Sequence, residues 1–212
     1  MEENETSIIL YRLAPEKSRF TVQAFATGLL QAFGHDPVIA IRDFEGVVEM
    51  VPGTLSQASV RMKINTDSLG VTDSVKEKDR AEVERMMREE VLETATYPEI
   101  VFESASVNTS RVRPGQYRAR IVGNLTMHGT TQQNLWIHAE VKFEDERLRA
   151  QGEFTLKQTD FKIKPVSVAG GAMKVKDELK FSFDIVAEKS EGEEGKEQGA
   201  SPVGEVTAAQ AP

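Results

Sequence analysis

The sequence predicts an all-β protein: an antiparallel, up-and-down β-barrel of about eight strands with one amphipathic helix inserted midway. Three observations predict it. First, residues 118–143 read as two strands around His128-Gly129. Ala119, Ile121, Gly123, Leu125 and Met127 alternate with Arg118, Arg120, Val122, Asn124 and Thr126 before the turn, and Leu135, Ile137, Ala139, Val141 and Phe143 alternate with Trp136, His138, Glu140 and Lys142 after it. A period of two buries one face of a strand and wets the other, and two such strands across a short Gly-containing turn make an antiparallel hairpin. Second, the pattern recurs along the chain with short connections. Third, one stretch alone, Asp67 to Thr94, breaks it. Consecutive antiparallel strands favour a barrel, because closure removes exposed edges; a sandwich is the alternative.

In chain order, residues 1–7 are polar and read as a flexible N-terminus. Ile8–Leu13 is a short strand, Pro15-Glu16 a turn, and Arg19–Phe25 a strand with Phe20, Val22 and Ala24 on one face. Ala26–Pro37 reads as one helical turn or a folded loop. Val38–Met50 reads as one long strand with Gly46 marking a bulge or bend, followed by a turn at Pro52-Gly53 and a strand carrying Ala58, Val60, Met62 and Ile64. The helix is expected over Asp79–Glu93, with Val83, Met86, Met87 and Val91 on its apolar face and Glu84 and Arg88 spaced as an i,i+4 pair. It reads as a lid or buttress. Ile100–Val107 is a strand and Asn108–Gln116 a turn region. After the hairpin, Asp145-Glu146 turns into a strand with Leu148, Ala150, Gly152, Phe154 and Leu156 inward. Phe161–Val168 reads as a strand interrupted by Pro165, Gly170-Gly171 as a turn, and Leu179–Val186 as the last strand. The barrel domain is thus expected over residues 8–188, and residues 189–212, rich in Glu, Gly, Ser, Ala and Gln, as a disordered acidic tail.

Composition excludes several function classes. A net charge of −8 argues against a sequence-independent grip on nucleic acid, which needs clustered Lys and Arg, and against adhesion to an anionic membrane. Without cysteine there is no disulfide, zinc-thiolate, iron–sulfur or cysteine-nucleophile chemistry. No apolar run is long enough to span a bilayer, and the acidic start is unlike a signal peptide. The chain as written reads as cytoplasmic, or as periplasmic if a leader has been removed.

No residue set speaks for catalysis, a metal or a cofactor. His138 falls on a wet face, His128 in a hairpin turn, and His35 in a loop before Asp36-Pro37. None has the short-gap partner of a metal site. Lys162, Lys164, Lys174 and Lys176 read as a solvated edge. What remains is the interior, where large residues mix with Gly123, Ala139, Ala150 and Gly152, and Ser104 is the one polar group expected there. Such a lining suits an apolar chain if the barrel is hollow. Gly123 and Ala139 are then the expected places where a larger side chain would fill ligand space.

Several segments, in order, resemble the YceI-like family: Lys17-Ser18-Arg19-Phe20-Thr21-Val22, Gly34-His35, Asp43-Phe44-Glu45-Gly46, Ile64-Asn65-Thr66-Asp67-Ser68-Leu69, Tyr97-Pro98-Glu99-Ile100-Val101-Phe102-Glu103-Ser104, and Gly123-Asn124-Leu125-Thr126-Met127-His128-Gly129-Thr130-Thr131. The resemblance implies a lipocalin-like barrel that binds a polyisoprenoid or similar amphiphilic lipid inside. The expected ligand contacts are Phe20, Val22, His35, Phe44, Met62, Ile64, Phe102, Ile121, Leu125, Ile137, Phe154, Phe181 and Phe183. The chain departs from the family pattern at Gln158, Lys162 and Asp36-Pro37, and its helix around Met86 is longer and more charged. The first reading is therefore a non-enzymatic lipid binder or carrier with no cofactor, with homodimerisation left open. Two others stand beside it: an enzyme using His35 and Asp36, and a packed barrel serving protein interaction.

Overall fold

The computed structural model describes residues 8–28, 36–51, 54–72, 77–144, 146–168 and 173–190. The strands are β1 (Ile9–Leu13), β2 (Arg19–Gly28), β3 (Val38–Ala40), β4 (Phe44–Val51), β5 (Thr54–Asn65), β6 (Gly70–Val71), β7 (Glu99–Arg113), β8 (Gln116–Met127), β9 (Thr130–Glu144), β10 (Arg147–Lys157), β11 (Ser167–Val168) and β12 (Met173–Lys189). One α-helix, α1 (Glu77–Met86), sits between β6 and β7.

Three staves of the barrel are broken. β1 and β2 both run antiparallel to β12, through Leu13↔Ala187 and Arg19↔Asp184. β4 pairs with β1 while β3 pairs with β2. β5 then pairs with β4 and β6 with β3. Counted this way, β1/β2, β3/β4, β5/β6, β7, β8, β9, β10 and β12 are eight antiparallel staves in sequence order, and β12 closes the circuit on the first. The expected eight-strand, up-and-down barrel is the fold.

The breaks explain why the sequence reads Val38–Met50 as one strand. The chain direction is continuous, but Ile41, Arg42 and Asp43 step out of the ladder beside the break at residues 14–18. Pro15, which lacks an N–H to donate, opens a 3₁₀ turn there. The Ser18 hydroxyl donates to the Ala14 carbonyl at 2.7 Å and accepts from the Val186 amide at 3.0 Å. The other two breaks are tied to each other. The Asn65 side chain accepts from the Asp67 amide and donates to the Asp43 carboxylate, both at 3.0 Å. Ser68 Oγ accepts from the Asp43 amide at 3.1 Å and donates to the Asn65 carbonyl at 2.7 Å. The hydroxyl of buried Thr66 donates to the Tyr97 carbonyl at 3.0 Å. In three of the family-like segments polar side chains are thus structural: Ser18, Asn65, Thr66 and Ser68 satisfy backbone at the broken ladders, and the Asp43 carboxylate holds the Asn65 side-chain amide.

Other expectations shift. The helix starts two residues before Asp79 and ends in a five-residue π turn, Met87–Val91, closed by the Leu92 amide on the Met87 carbonyl at 2.9 Å. The extra residue rotates the apolar face: Met87 and Leu92 are buried, whereas Val83 stays 43% exposed. Glu84 and Arg88 do pair, at 3.7 Å. β7 and β8 extend through most of the expected turn region and leave Pro114-Gly115 as its tip. Phe161–Val168 is not a strand. Gln158–Phe161 is a 3₁₀ turn ended by Lys162 at φ 61°, and only Ser167–Val168 pairs. β12 reaches Lys189, just past the expected end of the domain. His35, Pro52-Gly53 and Gly170-Gly171 lie outside the described residues, as do residues 1–7 and 191–212.

The central hairpin closes as its sequence demands. His128 and Gly129 have φ of 50° and 66°, the primed two-residue turn that matches strand twist. Ala119, Leu125, Met127, Leu135, Ile137, Ala139 and Val141 all point inward and are buried.

Candidate functional site: an apolar chamber

The barrel is hollow. Its interior holds a chamber of about 780 Å³, within the ~300–1,000 Å³ usual for small-molecule sites. All eight staves contribute, and the broken ones add Leu13, Ile39, Ile41, Leu69 and Val71 to the wall. The chamber runs from Glu82, Val83, Met86 and Met87 of the helical segment to Thr109, Val141 and Leu148. The packed-barrel reading is overturned by this space.

Of the expected contacts, Phe20, Val22, Met62, Ile64, Phe102, Ile121, Leu125, Ile137, Phe154, Phe181 and Phe183 line the chamber. Phe44 does not. It is 3% exposed and meets Phe20 edge-on at 6.2 Å, so it backs a wall residue instead. Phe154 and Phe181 stack at 4.9 Å with ring planes 9° apart, and Phe20 leans on Phe181 and Phe183, each at 6.4 Å. Rings locked in this way hold their own rotamers and keep the wall open when no ligand supports it.

Among the described lining residues only Glu82, Thr109 and Gln158 carry polar side chains, and none is Lys, Arg or His. Gln158, 4% exposed, donates from Nε2 to the Lys176 carbonyl at 2.9 Å, so its amide fastens the 3₁₀ turn to β12. Arg85 hydrogen-bonds the Glu82 carboxylate at 2.9 Å and holds its pKa below the usual carboxylate range. Ser104 is a correction: its hydroxyl accepts from the Val60 amide at 2.8 Å, beside a bulge in β7, and it is not part of the wall. Ala139 is another, being buried but outside the chamber.

The helical residues of the wall were legible as an apolar face but not as part of a binding surface. Leu69 and Val71 lie at or beyond a break, in the stretch where strand periodicity stops, and Ile41 falls within the expected strand Val38–Met50 without being singled out as wall. The remaining histidines are not gathered. His138 is exposed, and His128 packs on Tyr97 at 4.4 Å with Nε2 3.3 Å from Glu93 Oε1. Among the described residues there is no group of three or more metal-ligating side chains, and no helix is long and apolar enough to cross a membrane.

A closed antiparallel barrel of eight staves around an apolar hollow is the architecture of small barrels that hold one ligand. Within that class the chain belongs to the YceI-like domain family, whose pattern matches residues 11–187. Solved structures agree on the fold. BcnA from Burkholderia cenocepacia is 18% identical, with a TM-score of 0.61 over 82% of this chain and 98% of that one. A polyisoprenoid binding domain from Saccharophagus degradans, implicated in plant cell wall breakdown, is 12% identical, with a TM-score of 0.61 over 85% and 98%. An engineered CJ YCEI protein with a monobromobimane guest is 13% identical, with a TM-score of 0.53 over 72% and 85%. No curated protein matches the chain.

Proposed function

We propose that this protein binds or carries a long apolar or amphiphilic lipid, a polyisoprenoid above all, within its barrel, and that it does so without catalysis. The observation that carries the reading is the chamber itself, about 780 Å³ of space bounded almost wholly by aliphatic and aromatic side chains. Water gains few hydrogen bonds in such a space, so filling it with hydrocarbon is favourable at about 25 cal/mol per Å² of apolar surface withdrawn from water. An acid or base at work needs a titratable group near the reacting atoms, and Glu82, the one charged residue among the described wall residues, is held by Arg85. The polyisoprenoid binding described for the Saccharophagus domain, which shares this fold, supports the choice of ligand. The chamber wall and its backing ring Phe44 are the binding machinery in this reading, His35 is a further contact, and residues 8–188 are the working domain.

Native mass spectrometry of the protein purified from its own host tests the proposal. A retained, extractable isoprenoid is the expected result. An empty chain that also takes up no fluorescent isoprenoid analogue would overturn it.

A further inference from the structure

The outside of the barrel carries a second concavity, rich in the polar and charged side chains that the chamber largely lacks. The β9–β10 ladder stops at Gln151↔Glu140, whereas β10 stays paired with β12 as far as Lys157. At that fork Gly152 lies so close beneath β9 that an added Cβ would be 2.3 Å from the His138 carbonyl oxygen. The bend opens a groove of about 830 Å³ across the outer face from β8 to β2. Its floor is the strands themselves at Ala119, Ala139, Gly152 and Phe183, residues of the inward-facing set, and Val38 of β3 joins the far wall. Arg118 stands on one wall, Arg19, Thr21 and Gln23 on the other, with His138, Glu140, Gln151, Glu153, Ser182 and Asp184 between.

Part of this set is already fixed. Asp184 receives Arg149 at 2.6 and 2.7 Å and Gln151 at 2.9 Å. Glu153 receives Lys180 at 2.9 Å and Ser182 at 3.1 Å. Thr21 donates to the Ser182 carbonyl at 3.4 Å. Among the described residues, the side chains of Arg19, Gln23, Arg118, His138 and Glu140 have no hydrogen-bond or ion-pair partner. Trp136 lies two residues along the same outer face from His138, 55% exposed, with Arg120 5.1 Å from its ring centre.

We propose that this outer groove is a second binding site, for a carboxylated sugar chain of the uronate type. The chemistry selects that class. Phe183 and the alanines belong to the inward-facing set and Val38 sits at the far wall, so the outer face offers no deep apolar socket, which disfavours lipid and peptide. Arg149 and Lys180 offset Asp184 and Glu153, which leaves Arg19 and Arg118 against Glu140, a balance that suits one carboxylate better than a doubly charged phosphate ester. A singly charged carboxylate still meets a planar fork that binds it bidentately. Hydroxyl groups both donate and accept, and they match a groove in which amide, imidazole, hydroxyl and carboxylate groups alternate. The exposed indole beside the groove gives a sugar ring a flat face to lie on.

Trp136 is the sole tryptophan of the chain and stands beside the groove, two residues from His138, so its emission is a probe of occupancy there. Titration with trigalacturonate should shift it saturably, with matching heat in calorimetry. Arg19→Ala and Arg118→Ala should each weaken binding about tenfold or more, as loss of a charged hydrogen-bonding partner does. Arg118→Lys should not restore it, and uptake of the isoprenoid analogue should be unchanged in all three. Neutral cellotriose should bind at least about tenfold more weakly than trigalacturonate. No saturable heat with trigalacturonate would overturn the proposal. So would equal binding of cellotriose, or polyglutamate binding as tightly as the uronate. Loss of lipid uptake with intact uronate binding would instead fall on the chamber reading and leave this one standing.

Discussion

One cluster of buried side chains, running from Phe20 and Phe102 to Leu92 and Ile163, contains no alanine; the other, around Tyr11, Val107 and Leu148, has alanine at Ala58, Ala119, Ala139 and Ala187. Side-chain size alone would put the space in the second cluster. The first, built of the larger residues, nevertheless supplies most of the chamber wall, while Ala139 and Ala187 are buried without touching it. Room inside a barrel is set by where the backbone runs, and the side chains then fit what it leaves. The three broken staves run through both ends, but Ile41, Phe44, Ile64 and Leu69, at or beside the breaks, belong to the large-residue cluster, and the displaced segments add Ile39, Ile41, Leu69 and Val71 to the wall. At the other end small residues mark places where strands come close.

Glycine makes the point most strongly, and the largest effect is expected there. A Cβ on Gly152 would meet the His138 carbonyl at 2.3 Å and Phe183 Cζ at 2.6 Å. A backbone oxygen in a ladder cannot swing aside, so Gly152→Ala should cost about 3 kcal/mol or more, read as a fall in the urea midpoint. Gly123→Leu should fail for the same reason, because its Cβ would lie 2.5 Å from the Phe102 ring and 2.6 Å from the Glu103 carbonyl. The sequence-based expectation that Gly123 offers ligand space is therefore reversed. Near-native stability in either variant would mean that the closed regions yield and that the contrast between the ends is soft.

Ala119 and Ala139 face each other across β8 and β9, yet only Ala119 borders the chamber. Ala139→Leu should overpack its surroundings and cost about 1–3 kcal/mol. Ala119→Leu should project into empty space, cost less than about 1 kcal/mol, and lower uptake of a fluorescent isoprenoid analogue. Equal costs for the pair, measured by urea unfolding, would erase the distinction.

This pair also shows what the sequence could reveal. Period-two alternation placed nearly every inward residue on the correct face, because a strand's facing follows from counting. The staves, their order and eleven of the chamber contacts came with it. The breaks did not, although the alternation slips where Ile41, Arg42 and Asp43 leave the ladder, two polar residues standing between Ile41 and Phe44. What betrays them is capping chemistry at Ser18, Asp43, Asn65 and Ser68, and those residues read first as family markers rather than as hydrogen-bonding groups. The outer groove had no signal at all, because its residues come from six strands and meet only where β9 and β10 part.

A smaller effect tests whether the alanine-rich end is also braced from outside. Arg149 hydrogen-bonds Asp184 on the strands β10 and β12 beside Ala187 and holds its carboxyl below the usual range; burial opposes this, and Gln151 adds to it. A carboxylate whose folded pKa is lowered stabilises the fold above its unfolded pKa, and that gain disappears as pH falls through the folded value. With Asp184 partly exposed, the brace should contribute no more than about 1 kcal/mol. Asp184→Asn should therefore lower stability at neutral pH and show a shallower loss between about pH 5 and pH 2 than the parent. Parallel acid profiles for the two proteins would show that the brace contributes nothing.

The smallest effect is expected beyond the last strand. The Lys189 amide donates to the Glu146 carbonyl at 2.9 Å and the Ser190 amide to the Leu10 carbonyl at 2.8 Å, so the chain is fastened to the alanine-rich end as far as Ser190. Past that point the sequence has no apolar period to bury, and Glu191, Glu193, Glu194 and Glu197 follow within a few residues. Burying such a segment would require desolvating its carboxylates without an apolar gain to offset the ordering of the chain. Truncation after Ser190 should leave the thermal midpoint within about 1 °C of the full chain, whereas truncation after Glu188 removes two backbone hydrogen bonds, each contributing about 1 kcal/mol, and should lower it by several degrees. If the longer truncate also melts early, residues beyond Ser190 pack on the barrel, and the alanine-rich end is held shut by more than its own side chains.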